Sequence, residues 1–223
     1  MVSRIRANFA QRFVVLPEAE PWVTSPTPGV ERKMLDRIGD EVARATSIVR
    51  FAANTDFPMH VHGGGEEFLV LQGLFVDDDG EYPAGAYVRN PVGSRHAPRA
   101  GEAGATLLVK LHQFAAGDAE RVVVQTTRMP WLPGSAPGLS VLPLHEFADE
   151  HVALVRWDPH TRFQRHSHWG GEEIFVLEGV FRDEHGDYPA GSWLRSPHLS
   201  THTPFTAAEG ATIFVKVGHL PAC

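Results

Sequence analysis

Apolar residues along this chain come in short runs that stop abruptly at glycine, aspartate or proline. FLVLQG (68–73), TLLVKL (106–111), IFVLEG (174–179) and TIFVKV (212–217) are rich in branched side chains. Polar, turn-forming clusters such as DDDGEYPAG (77–85) and EHGDYPAG (184–191) separate runs of this kind. Runs punctuated in this way predict β-strands rather than helices. One segment is ambiguous by composition alone. EVARATSIVRF (41–51) opens with good helix formers, Glu41 to Ala45. The related stretch DEHVALVRW (149–157) opens on a turn-like acidic pair and reads better as a strand. Many short strands at intervals of about ten residues predict an all-β sandwich or barrel with no long helix.

The strand pattern occurs twice. VRF (49–51) matches VRW (155–157), GGEEFLVLQG (64–73) matches GGEEIFVLEG (170–179), and GEYPAGAYVRNP (80–91) matches GDYPAGSWLRSP (186–197). GATLLVK (104–110) matches GATIFVK (210–216), all at one offset of 106 residues. Upstream the offset is 109, aligning Arg12–Val15 with Arg121–Val124, Pro21-Trp22 with Pro130-Trp131, and Pro28-Gly29 with Pro137-Gly138. The second copy therefore lacks three residues between about Arg32 and Thr46, where a loop or short edge segment is expected. A duplicated folding unit follows, with an amino-terminal arm over 1–11, a first barrel over 12–117 and a second over 118–223.

Composition narrows the function classes. The net charge is −7, and no basic patch appears beyond scattered arginines such as Arg4, Arg6 and Arg12. No nucleic-acid partner is expected. A single cysteine, Cys223, rules out an intrachain disulfide and a thiolate zinc finger. The amino terminus lacks the apolar run of a signal peptide, and no stretch reaches membrane-spanning length. The expectation is a cytoplasmic protein with no membrane partner.

Chemistry enters with the histidines. His60, His62, Glu66 and His96 recur as His166, His168, Glu172 and His202 at the offset of 106 residues. In a strand, side chains at i and i+2 share a face, so the two rings of each HxH point into one interior. The glycine turn at Gly63–Gly65, or Gly170-Gly171 in the second copy, brings the chain back so that the glutamate opens the next strand beside them. A later strand supplies the last histidine. Three imidazoles and one carboxylate form a ligand set for a divalent transition metal. The neighbours Glu67 and Glu173 point the other way by the same alternation.

These residues resemble the cupin motifs. HxHxxxE followed by six residues and glycine is met by His60, His62, Glu66 and Gly73, and again by His166, His168, Glu172 and Gly179. The second motif, G-x5-P-x-G-x2-H, is met by Gly85, Pro91, Gly93 and His96. The second copy has Gly191, Pro197 and His202 but Leu199 in place of the motif glycine, which predicts an altered turn there. The motif's terminal asparagine is missing from both copies. DYPAGSW (187–193) and RNPVGSRHAP (89–98) are similar to segments of the ChrR-like cupin domain. The resemblance covers nearly the whole chain and implies two tandem jelly-roll barrels, a bicupin, with one divalent metal per barrel. Zinc is the first expectation for the metal, with iron, nickel or manganese as alternatives.

The resemblance leaves two functions open. In the anti-sigma factor that names the family, the cupin domain binds zinc and serves a response to singlet oxygen. A separate cysteine-containing module holds the sigma factor there. This chain has no HxxxCxxC, so the resemblance implies a zinc-binding sensor or ligand-binding protein in a stress response, not a complete anti-sigma factor. Other cupins with similar motifs are iron dioxygenases acting on small diketones or aryl ketones, and the same ligand set fits that role. A ligand carboxylate released on substrate binding would accept a proton, in which case Glu172→Gln keeps metal and loses turnover. A small-molecule ligand and a homodimer are the partners expected.

Other residues carry weaker expectations. Tyr82 and Tyr188 read as turn-packing groups, and Tyr87, Trp193, Phe68 and Ile174 as core or pocket wall. Arg89 and Arg195 read as ion-pair partners of Glu67 and Glu173 or as anion binders, and Trp169 as a shield or wall of the second site. The acidic run Asp77–Asp79 reads as a solvated hairpin tip, with calcium a remote alternative. His112, His145, His151, His160, His185, His198 and His219 read as surface or local structural residues, with His198 singled out for its nearness to His202.

Overall fold

The branched, apolar runs do form strands. A computed structural model of the protein describes residues 2–221, and Cys223 lies outside them. Among the described residues the helical content is one short 3-10 turn, Thr126–Arg128. The ambiguous segment is a strand, Ala43–Phe51. Among the described residues no helix is long and apolar enough to cross a membrane.

The chain divides into two compact units, each drawn from two stretches: Met1–Ala7 with Glu20–Met129, and Asn8–Ala19 with Pro130–Cys223. In the first unit a large antiparallel sheet runs through Val30–Gly39, Ala43–Phe51, Arg99–Leu111, Glu66–Asp77 and Ala86–Asn90 in that spatial order. A small two-stranded sheet pairs His60–Val61 with Arg95–His96. The second unit repeats this arrangement with Leu139–Phe147, Glu150–Trp157, Ala211–Val217, Glu172–Asp183 and Trp193–Ser196, and with His166–Ser167 against Thr201–His202. Each is a jelly roll, as the cupin resemblance implied.

Strand alternation decides what each interior contains. Along Glu66–Asp77 the residues Phe68 and Val70 join Phe51, Phe75, Val88 and Leu107 in the first core. Ile174, Val176, Phe181, Trp157 and Ile213 build the second. Phe68 lies opposite Val88 on one side and Val109 on the other, so branched and aromatic side chains meet across three strands. The opposite face of the same strands is polar but covered. Glu67 is 1% exposed, accepts hydrogen bonds from Tyr87 Oη at 2.9 Å and Arg89 Nη1 at 3.0 Å, and Arg89 also meets Asp118. Tyr87 thus belongs to this face, while Phe68 belongs to the core.

Two features of the duplication differ from a linear reading. Phe13–Val15 pairs with Trp193–Arg195 in the second unit, and Val122–Gln125 pairs with Ala86–Arg89 in the first. These strands are repeat equivalents, so each copy's leading strand completes the sheet built by the other copy. The unit of duplication and the compact unit of the fold are different divisions of the chain. The three-residue difference is shared between the two strands and the turn of one hairpin: Val30–Gly39 and Ala43–Phe51 flank a three-residue turn, Leu139–Phe147 and Glu150–Trp157 a two-residue one. Val30 pairs with Phe51 and Leu139 with Trp157, so the region is a long hairpin that is shorter in the second copy.

Candidate metal centres

In the first unit the four expected ligands converge. His60 opens a strand whose next residue, Val61, is 62% exposed, as alternation requires. His60 and His96 are directly opposite each other in the small sheet. His62 follows the same inward direction, and the chain then turns through Gly65 at φ +77°. A Cβ there would stand 2.3 Å from the Phe114 ring, so only glycine lets Glu66 start its strand beside the imidazoles. One ligand atom from each of His60, His62, Glu66 and His96 lies within 4.8 Å of the others.

The orientation of these groups is fixed by their far sides. His60 Nδ1 lies 3.0 Å from the Pro58 carbonyl. A carbonyl only accepts, so Nδ1 carries the proton and Nε2 offers a lone pair. His96 Nδ1 is 2.9 Å from Asp77 Oδ2. Asp77 is itself held by Tyr82 Oη at 2.9 Å and by the backbone N–H groups of Asp79 at 2.9 Å and Gly80 at 3.2 Å. Asn90 Nδ2 donates to Glu66 Oε2 at 3.1 Å. Each is the outer contact that orients a metal ligand.

Do the inner atoms fit an ion? His62 Nε2 and His96 Nε2 stand 3.4 and 3.6 Å from Glu66 Oε2. Bonds of about 2.1 Å to one centre would place neighbouring ligand atoms roughly 3.0–3.4 Å apart. Both Nε2 atoms are buried with no hydrogen-bond partner among the described residues. Two orphaned lone pairs aimed at one carboxylate are costly unless something cationic joins them. The residues therefore fit a divalent ion.

Charge equilibria favour the ligand form of His60 and His62 and oppose it at Glu66 and His96. Burial lowers His60 and brings His62 down to about 4, keeping both rings neutral, and burial raises Glu66. Burial also works against the charge on His96, but the Asp77 hydrogen bond and the Glu66 charge outweigh it and raise that ring. For Asp77 burial pushes upward, and hydrogen bonds from His96, Asp79 and Tyr82 hold it below the usual carboxylate range.

The second unit repeats the set with one displacement. His166, His168 and His202 bring ring nitrogens within 4.8 Å of one another. Glu172 reaches His168 Nε2 at 3.2 Å and His202 Nε2 at 3.6 Å. His168 Nε2 and His202 Nε2 are 3.2 Å apart. Behind His202 stands Asp183, 3.6 Å from Nδ1, held by Tyr188 Oη at 2.7 Å, Arg12 Nη2 at 2.6 Å and the His185 N–H at 2.8 Å. Burial alone would raise Asp183, but His202 and these donors bring it down to about 2. The altered turn expected at Leu199 is absent. Leu199 adopts φ +58°, close to Gly93 at +85°, and its N–H donates to His168 O at 2.9 Å just as Gly93 does to His62 O. The backbone keeps the turn and the leucine bears the strain.

Several residues stand apart from their sequence reading. Asp77 is no solvated hairpin tip: its side chain is 1% exposed and locked behind His96. Tyr82 and Tyr188 are donors to Asp77 and Asp183 rather than turn packing alone. The signal was available, because Asp77 and Asp183 share the offset of 106, but the acidic run around Asp77 concealed it. Arg89 pairs with Glu67 as expected. Trp169 is 62% exposed, with its ring edge-on to His198 at 4.5 Å, and His198 Nδ1 accepts the Gly170 N–H at 2.9 Å. The His219 side chain is 1% exposed and lies 3.2 Å from Glu173. His112 faces a cavity.

That cavity, about 280 Å³, belongs to the first unit. All four candidate ligands line it, and much of the remaining wall is apolar, including Phe57, Phe75, Val49, Leu107 and Val109.

Comparison with known proteins agrees with this architecture. The sequence profile of the ChrR Cupin-like domain matches residues 10–115 and 119–221. Searched against the curated proteins, the sequence has no match. Among solved structures, a Nostoc punctiforme protein described as a candidate dioxygenase superposes with a TM-score of 0.77 at 17% identity, covering 93% of this chain and 82% of that one. The Ylba protein of E. coli gives 0.72 at 13% identity, over 97% and 94%. A variant of Bacillus subtilis oxalate decarboxylase gives 0.65 at 12%, over 93% and 77%. Identities this low establish a shared fold. With both halves matched by one family profile, the chain belongs to the ChrR cupin-like domain family and carries two copies of its domain in tandem.

Proposed function

We propose that the first unit is a metal-dependent enzyme of the oxygenase class, acting on a small, largely apolar molecule. The observation that carries this reading is that His60, His62, Glu66 and His96 lie on the wall of a cavity with many apolar neighbours. Structural zinc sites are closed by their ligands, whereas catalytic centres leave a position facing a substrate chamber. A ferrous or similar ion held there supplies Lewis acidity and one-electron chemistry toward dioxygen. The chain's own residues do the rest. Asp77 and Tyr82 keep the His96 proton on Nδ1, Asn90 fixes one oxygen of Glu66, and the aromatic and branched wall excludes water.

A second reading, a zinc-binding sensor in a stress response, draws on the 3.4 and 3.6 Å spacings to Glu66, which match the edge of a closed tetrahedron at about 3.4 Å. Metal analysis of protein purified without a nickel column, followed by oxygen uptake with added Fe(II) and a diketone or aryl ketone, separates the two. The oxygenase reading expects iron, and uptake that depends on His96. Bound zinc, with no uptake after reloading with Fe(II), favours the sensor.

A further inference from the structure

We propose that the first unit's cavity is built for a small organic anion with an apolar body, and that Arg32 is its anchor. The proposal rests on the open centre described above and names the chemical class it accepts. Val30 lies in the core, and Arg32, two residues along the same strand, shares its inward face and borders the same cavity as the four ligands. The Arg32 side chain is 15% exposed, and its Nε is buried without a hydrogen-bond partner. Its terminal nitrogens reach Glu41 at 3.3 Å each, and that carboxylate is 63% exposed. Long bonds to a solvated partner are easily exchanged for a better acceptor.

Comparison of the two copies shows that this arginine is not part of the duplicated packing. Arg32 pairs with Val49, whose equivalent Val155 pairs with Val141. The second copy thus has valine where the first has arginine. Glu41 sits on the hairpin that is longer in the first copy. His112 makes the same point at the metal end of the cavity. It lines the chamber at φ +55°, a region where side chains are strained, while its equivalent is Gly218 at φ +80°. Both copies need that backbone, and only the first retains a side chain there, with its imidazole in the chamber.

Electrostatics points to an anion. A divalent ion with three neutral imidazoles and Glu66 carries one net positive charge, and the Arg32–Glu41 pair adds none. A singly charged carboxylate or 1,3-diketone enolate would neutralise the chamber and offer Arg32 two acceptor oxygens, the geometry a guanidinium matches best.

The test uses the full chain loaded with zinc, so that no turnover intervenes, with benzoate as the probe and benzamide as its neutral isostere, followed by calorimetry. Wild type is expected to prefer benzoate by at least about tenfold. Arg32→Met should weaken benzoate by about 10- to 100-fold, leave benzamide unchanged and keep its zinc. Arg32→Gln gives the same comparison where methionine perturbs folding. His112→Gly should raise Tm, by relief of strain, while weakening benzoate. Benzoate binding that is indifferent to Arg32, or absent from wild type, overturns the proposal. Binding that needs zinc but not Arg32 overturns the anchor and leaves the open centre standing, whereas failure to take up zinc overturns both.

Discussion

Asp77 and Asp183 show what single residues contribute. Each carboxylate accepts from a tyrosine and at least one backbone N–H and faces the far nitrogen of a ligand histidine. Such outer contacts typically change metal affinity 10- to 100-fold. Asp77→Asn is therefore expected to weaken zinc binding at the first site by about that factor while leaving the second site unchanged. Equal affinity at both sites, measured with a competing chelator, would contradict the role. The ligands themselves were legible in the sequence because their spacing recurs without a gap. Asp77 was not, since burial of a carboxylate depends on what the fold lays over it, and charge alone suggested solvent. Leu199 supplies a separate check. At φ +58° it bears strain of about 1–2 kcal/mol that glycine would relieve. Leu199→Gly should stabilise the protein by about 1 kcal/mol in urea denaturation, after the flexibility glycine adds to the unfolded chain. A lower midpoint would show that the leucine contributes packing the φ angle conceals.

At the scale of elements, the strands were readable from periodicity and the pairing was not. Alternation assigned Glu66 to the interior and Glu67 to the other face, and both assignments hold. What alternation could not reveal is that Glu67 would be 1% exposed, enclosed by Tyr87 and Arg89. Removing one member of a buried ion pair typically costs about 3–5 kcal/mol. Glu67→Ala should therefore lower stability by about 3 kcal/mol and retain zinc, the reverse of Glu66→Ala, which removes the ligand carboxylate and should lose zinc at the first site with little loss of stability. The exchange of leading strands was hidden for a different reason. The match between Arg12–Val15 and Arg121–Val124 reveals equivalence, but a repeat aligned to itself does not say which copy a strand pairs with. Val14 pairs with Leu194 in the second unit. Val14→Pro, which removes one backbone donor from that edge, should speed amide exchange at Trp193–Ser196 and leave Ala86–Asn90 protected. Faster exchange at Ala86–Asn90 alone would contradict the assignment.

At the scale of the whole molecule, duplication has preserved two ligand sets while their surroundings have diverged. Arg32, Glu41 and His112 border the first site's cavity, and the second copy has Val141 and Gly218 at two of those positions. Both sites should hold metal, with small molecules acting at the first. The central claim, an ion gathered by His60, His62, Glu66 and His96, is tested most directly by titrating metal-free protein with cobalt(II) and following visible absorption. Saturation at about two ions per chain is predicted, falling to one in His96→Ala, with benzoate perturbing the spectrum of wild type and not of that variant. An absence of saturable binding, or unchanged stoichiometry after His96→Ala, would contradict it.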